Sequence, residues 1–281
     1  MGFYSLRPYA YNSPIGLCIF NQVREKDVEP VTYSIIVPAY SESARIGTSL
    51  DKILIHASKQ NWKAEIIVVD DGSHDSTVDI VHDYVAKHPN VRLIQNPGNR
   101  GKGYSVRNGM LHANGEILLF SDADLSSPIE EADKLFAAIR EGHDIAMGSR
   151  WVQKELQTRK QPLYRRLGSR GFNLFLRTIL RLNFKDTQCG FKAFTQRTAI
   201  TVFSLQQIER WGFDAELLYL ARKYQFKVAE VPVAWAHRDG TRMHPFRDGI
   251  HMVWDLIRVR WNAISGKYKP SEYYGVAKTT R

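Results

Sequence analysis

The chain has 281 residues, 43% of them hydrophobic, enough to bury a large core as one elaborated domain or two small ones. A formal charge of +10 and a pI near 9.5 point to an anionic partner, while two cysteines, Cys18 and Cys189, exclude a disulfide scaffold or a zinc cluster and imply a reducing compartment. No signal-peptide pattern opens the chain, Leu6 stands where a myristoylation site usually shows Ser or Thr, and no apolar run reaches the ~18 residues of a spanning helix. The expected location is cytoplasmic, with at most a peripheral hold on the inner face of a membrane.

Residues 1–31 hold Pro8, Pro14 and Pro30 and no clean period, which reads as an N-terminal extension. From there apolar runs alternate with helix-length segments. The runs are Ser34–Ala39, Glu65–Val69, Val91–Ile94, Ile117–Phe120 and Asp144–Met147, and helices are expected over 42–60, 75–87, 102–113 and 128–141. Pro128 with Glu130 and Glu131 suits a helix N-terminus, where a missing N–H costs nothing and acids face the positive end of the dipole. Short buried strands separated by helices make βαβ units, so the fold class is α/β with a mostly parallel sheet. The domain is expected to span 32–245, with an amphipathic helix and tail over 246–281.

In such sheets ligands sit beyond the carboxyl ends of the strands. The loops there are Pro38-Ala39-Tyr40-Ser41-Glu42, Asp70-Asp71-Gly72-Ser73, Asn96 to Gly103, Ser121 to Ser126, and Gly148-Ser149-Arg150. Asp122-Ala123-Asp124 sets two carboxylates one residue apart where a buried strand emerges, which is either a solvated turn or oxygen ligation for Mg²⁺ or Mn²⁺ against a diphosphate. Asp70 and Asp71 could accept from a ribose hydroxyl or a base N–H, or simply form a turn with an N-cap. In Gly98-Asn99-Arg100-Gly101-Lys102-Gly103, backbone amides and two cations could meet phosphate, but Gly103 follows Lys102 where a Walker A loop has Ser or Thr.

The order of these motifs, Pro-Ala-Tyr-x-Glu, Val-Asp-Asp-Gly-Ser, Gly-Lys-Gly and Asp-Ala-Asp, resembles the family 2 glycosyltransferases with the GT-A fold, over roughly residues 32–245. Asp186 to Lys192, Glu209 to Leu218 and Asp239-Gly240-Thr241-Arg242 resemble its dolichyl-phosphate β-glucosyltransferase branch, near the polyprenyl-phosphate mannose synthases. The resemblance implies that Asp70 and Asp71, with Pro38, Tyr40, Glu42 and Ala123, hold the nucleotide, Lys102 the diphosphate, and Asp122 and Asp124 the metal and the sugar. It implies that Arg150 and Lys192 approach the acceptor phosphate or the donor diphosphate, and that Gln188, Trp211, Asp214, Glu216 and Arg242 line the sugar and acceptor pocket. Trp211, Phe213 and Leu217 also have the spacing of a core helix face, and Glu216 could merely brace a cation.

From Arg159 to Lys185 there are eight cations and no acid. A helix over 163–182 would put Arg166, Arg170, Arg177 and Arg181 opposite Tyr164, Phe172, Phe175, Ile179 and Leu182, the form of an interfacial helix. Ile250, Val253, Trp254, Ile257 and Trp261, followed by Arg258, Arg260, Lys267 and Lys269, form a second candidate. The expected function is inverting, metal-dependent transfer of a hexose, glucose from UDP-glucose first, to a polyprenyl phosphate. GDP-mannose as donor, a sugar hydroxyl as acceptor with Asp214 or Glu216 as base, and a non-catalytic nucleotide- or RNA-binding module stand as alternatives. No nucleic-acid motif accompanies the basic stretch, so no nucleic-acid partner is expected.

Overall fold

The computed structural model describes residues 31–152, 157–159, 175–236 and 245–269; most of the N-terminal extension, the stretch 160–174 and Arg242 lie outside them. Five strands fall where the apolar runs place them: β1 (Tyr33–Ala39), β2 (Ala64–Asp70), β3 (Val91–Gln95), β4 (Ile117–Ser121) and β5 (Ile145–Ser149). A short β6 (Gln157–Arg159) precedes β7 (Phe191–Thr195), β8 (Val228–Pro232) and β9 (Trp235–Ala236). The main sheet has seven strands in the order β3-β2-β1-β4-β7-β5-β8, and β6 pairs separately with β9. β7 alone runs against its neighbours, pairing antiparallel with both β4 and β5.

Apolar residues on both faces explain why β1, β2 and β4 read as continuous runs. Ile35, Val37, Ile66, Val68 and Leu119 enter one core; Ile36, Ile67, Val69, Leu118 and Phe120 enter the other. The first core is closed by α1 (Ile46–Lys59), α2 (Thr77–Lys87) and α4 (Ala132–Arg140). The second is closed by α3 (Lys102–Leu111), α5 (Gln196–Leu205), α6 (Phe213–Lys223) and α7 (Pro245–Ile264). The result is a helix-sheet-helix sandwich in which the chain steps from β1 outward to β2 and β3, then crosses back to β4. That reversal between β1 and β4 is the topological switch point, and it opens a crevice at their carboxyl ends.

Three expected helices begin later than their patterns indicate, α2 by two residues and α1 and α4 by four. α1 starts at Ile46 and not at 42, because Ser41 takes a left-handed φ of 50° and the amides of Ser41 and Glu42 bond to Ser73 Oγ and Thr77 Oγ1, each at 2.7 Å. These bonds tie the β1 loop to the β2 loop instead of into a helix. The segment after Pro128 opens with a 3-10 turn, Ile129–Glu131, before α4. Of the helix expected over 163–182 only the end lies within the described residues: a π-helical turn, Leu176–Leu180, stops at Arg181 with φ 53°. Leu176, Leu180 and Leu182 are buried in the second core, so this end of the segment is a packed element. Among the described residues no helix is long and apolar enough to cross a membrane.

Candidate active site

Asp70 ends β2 and Asp71 follows it; the Asp70 carboxylate turns back into its own loop, that of Asp71 into the glycine-rich loop after β3. Asp70 accepts from the amides of Gly72 and Ser73 and from Ser73 Oγ, closing the turn. Asp71 accepts from Asn96 Nδ2 at 2.8 Å and from the amides of Arg100 at 3.0 Å and Gly101 at 2.8 Å. With two of its three donors being amides of the glycine-rich loop, Asp71 shapes that loop from inside. Asn96 extends this net to Ser105 and Asn108. It is absent from the sequence assignment, and its only signal is its place before Pro97. Gly101, at φ 110°, lets the loop pass where a Cβ would lie 2.7 Å from the Glu209 carbonyl. α3 therefore starts at Lys102 with that side chain aimed across the crevice.

At the end of β4, Lys102 Nζ forms an ion pair with Asp122. Burial opposes charge on Lys102, but Asp122, Asp214 and Asp124 outweigh it and raise its pKa above the ordinary lysine value. Trp211 lies beside the same ammonium, 5.5 Å from ring centre to Nζ. Asp124 Oδ1 accepts the Ser126 amide at 2.9 Å, which orients it, and the carbonyl of buried Ala123 takes Ser49 Oγ from α1 at 2.6 Å. On the other side Asp122 rests against Gly190, where a Cβ would fall 2.7 Å from Asp122 Cγ. Pro38, Tyr40 and Glu42 border the crevice from β1; Tyr40 meets His74 edge-on, and Glu42 pairs with Arg45.

Lys192 and Glu216 depart from the assignment to substrate. Lys192 lies on β7 with no exposed surface, its Nζ donating to Asp214 Oδ1 at 2.5 Å and to the Cys189 carbonyl at 2.6 Å, over the ring of Phe120. It cannot reach an acceptor phosphate from there; it holds Asp214. Burial raises the Asp214 pKa, with Lys192 and Lys102 pulling against it. Glu216 is equally buried: its oxygens accept from the amides of Gln207 and Ile208 at 2.9 and 2.8 Å and from Tyr268 Oη at 2.5 Å. Two residues from Asp214 on one helix, it faces away from the crevice and braces the 205–209 loop against the segment after α7.

Arg150, just past β5, grips Asp186 with Nε and one terminal nitrogen at 2.7 and 2.8 Å, while its amide takes the same carboxylate at 2.9 Å. Burial opposes ionised Asp186 but Arg150 outweighs it, and the carboxyl is held below its usual range. Asp186 heads the Asp186 to Lys192 motif, and no local pattern signals its arginine partner 36 residues away. Around this pair Trp151 Nε1, Thr187 Oγ1 and Gln188 Nε2 are buried without a hydrogen-bond partner among the described residues. Cys189 is buried between them and the sheet, and burial pushes its thiol up to about 11. One sheet edge thus gathers an ion-paired lysine, two strand-end carboxylates, a buried Lys-Asp pair and an arginine ringed by unused polar groups.

The family model for Glycosyl transferase family 2 matches residues 34–203. A dolichyl-phosphate beta-glucosyltransferase of Dictyostelium discoideum is 39% identical over 255 residues, covering 86% of this chain and 78% of that protein. The Homo sapiens dolichyl-phosphate beta-glucosyltransferase is 33% identical over 249 residues, 84% of this chain and 77% of that protein. Among solved structures, glucosyl-3-phosphoglycerate synthase from Mycobacterium tuberculosis, in complex with Mn²⁺, UDP and glucosyl-3-phosphoglycerate, superposes with a TM-score of 0.61. It is 20% identical and covers 86% of this chain and 81% of its own, a likeness of fold. The non-catalytic binding module is thereby set aside: with a GT-A sheet and this match, the chain belongs to glycosyl transferase family 2 and is a glycosyltransferase.

Proposed function

We propose that the enzyme transfers glucose from UDP-glucose to a polyprenyl phosphate, with inversion at the anomeric carbon. The observation that carries this is the pairing of Lys102 with Asp122 beside Asp124 at the switch point, where a diphosphate has a cation on one side and carboxylates on the other. The names of the relatives support glucose and a lipid phosphate. Asp122 and Asp124 offer only oxygen, and among the described residues no third His, Cys, Asp or Glu completes a protein-only metal cluster. That donor set suits a hard cation, Mg²⁺ or Mn²⁺, whose other ligands are phosphate oxygens and water. When bound there, such an ion neutralises charge on the departing UDP.

The chain's own groups divide the remaining work. The Asp71-ordered loop would present its amides and Lys102 to the diphosphate, and the raised pKa keeps Lys102 charged as negative charge grows on the leaving group. Arg150, with Trp151, Thr187 and Gln188, would orient the acceptor phosphate. A phosphate oxygen then bonds to C1 as the bond from C1 to the β-phosphate oxygen of UDP breaks. An ionised phosphate needs no strong base. A sugar hydroxyl would, and its candidate bases are committed elsewhere, Asp214 to Lys192 and Glu216 to its amides and Tyr268.

UDP-glucose and GDP-mannose, each offered with a short polyprenyl phosphate and with a soluble glycoside, test the reading by product mass. Only glucosyl-phosphoprenol is expected; a mannosyl or glycoside product refutes it. Asp124→Asn should lose almost all transfer, and near-wild-type turnover would sink the metal assignment.

A further inference from the structure

α7 has two faces that meet different surroundings. Leu256 and Val259 are buried in the second core, and Met252 and Asn262 are buried as well. Opposite them Ile250, Trp254, Ile257, Trp261 and Ile264 stand 62%, 64%, 44%, 67% and 72% exposed. Steps of four and three residues keep all five in one narrow stripe along the helix. Isolated exposed apolar residues are ordinary, but a row of five including two indoles has no place on a free surface.

The charges around the stripe identify what covers it. At about 100° per residue, Arg258 and Arg260 fall on opposite flanks of the stripe, and both are exposed. Exposed Lys267 and Lys269 continue the basic border beyond the helix end. Among the described side chains of the helix the one acid, Asp255, is turned inward and takes the Gly212 amide at the start of α6. Indoles and aliphatic groups in a line, bordered on both sides by cations, suit the headgroup boundary of an anionic lipid bilayer, where rings sit at the carbonyl level and arginines meet phosphates.

We propose that the outer face of α7 docks on the surface of an anionic lipid bilayer. The helix is bonded to the N-cap of the site-bearing α6 through Asp255 and Gly212, and the segment after the helix is bonded to α6 through Tyr268 and Glu216. Docking therefore fixes the crevice in orientation to the lipid surface. The inference stands on the helix alone; joined to the proposed acceptor, it puts the enzyme where a lipid-linked phosphate is presented.

The full chain is mixed with vesicles of phosphatidylcholine alone, or with phosphatidylglycerol added, and no polyprenyl phosphate. Co-sedimentation with the anionic vesicles, a blue shift of tryptophan emission and quenching by brominated acyl chains are expected. Trp254→Gln with Trp261→Gln should weaken partition roughly tenfold or more with unchanged circular dichroism and melting, since both rings are exposed in the free protein. Arg258→Gln with Arg260→Gln should remove the preference for anionic vesicles and its salt dependence. Failure to bind vesicles, binding indifferent to the tryptophan pair, or a dimer that this pair abolishes would each overturn the inference. Transfer to a short, water-soluble polyprenyl phosphate by the tryptophan variant separates this outcome from failure of the proposed reaction.

Discussion

Replacing Lys192 by Met preserves side-chain length and removes a charge that lies wholly inside the sheet. Asp214, 4% exposed, would lose its direct partner, and the Cys189 carbonyl would lose its donor. Breaking a buried pair from one side costs about 3–5 kcal/mol, because the surviving charge stays desolvated. Lys102 still acts on Asp214, so the lower end, about 3 kcal/mol, is expected for Lys192→Met. The double variant Lys192→Met with Asp214→Asn should recover about 2 kcal/mol of this, since no ion is then left unpaired. Urea unfolding followed by fluorescence gives both midpoints. The sign with pH is also fixed. With Lys192 gone, burial holds the folded pKa of Asp214 above its unfolded value. The penalty is then absent below the unfolded pKa and grows as pH rises through the folded one. The gap to wild type should narrow in acid. A loss under about 1 kcal/mol, or a double variant no more stable than the single one, would refute the reasoning.

Gly190→Ala drives a methyl group into the Asp122 carboxylate, which is partly exposed and can swing aside. Transfer should fall on the order of a hundredfold for a displacement near 1 Å while the melting temperature barely moves; unchanged kcat/KM would count against Asp122 as a site residue. Burial pushes Glu216 from 4.5 up to about 7, so wild-type stability should decline as pH rises across that window, by up to about 3 kcal/mol. Glu216→Gln should flatten that slope in melting curves, and an identical slope in the variant would remove Glu216 as its source.

Parallel strands with both faces covered are the easiest elements to read in a sequence, and β1 to β5 lie within a residue or two of their apolar runs. β7 was concealed because a lysine interrupts it. Phe191 and Ala193 enter one core and Phe194 the other, but Lys192 belongs to the second face as well, tolerated there by Asp214. A charged residue in a strand-end motif looks the same in a sequence whether it meets a ligand or a partner 22 residues away. Glu216 poses the same ambiguity more severely, for Tyr268 lies 52 residues on. The loops and their carboxylates were legible; the destination of each carboxylate was decided by long-range hydrogen bonds that no local pattern encodes.

The reversed direction of β7 has one more consequence. Because it runs against β5, the chain leaves the sheet at Ser149 and re-enters at Phe191 on the same edge, beside the crevice. The two feet of this detour, at Arg150 and Gly190, thus stand at one rim and are held together by the Arg150–Asp186 clasp. Such a detour can lengthen, shorten or exchange its contents while β1 to β4 and the loops at their carboxyl ends keep their register. A scaffold arranged this way could diversify at that rim while leaving the β1 to β4 half of the sheet unaltered.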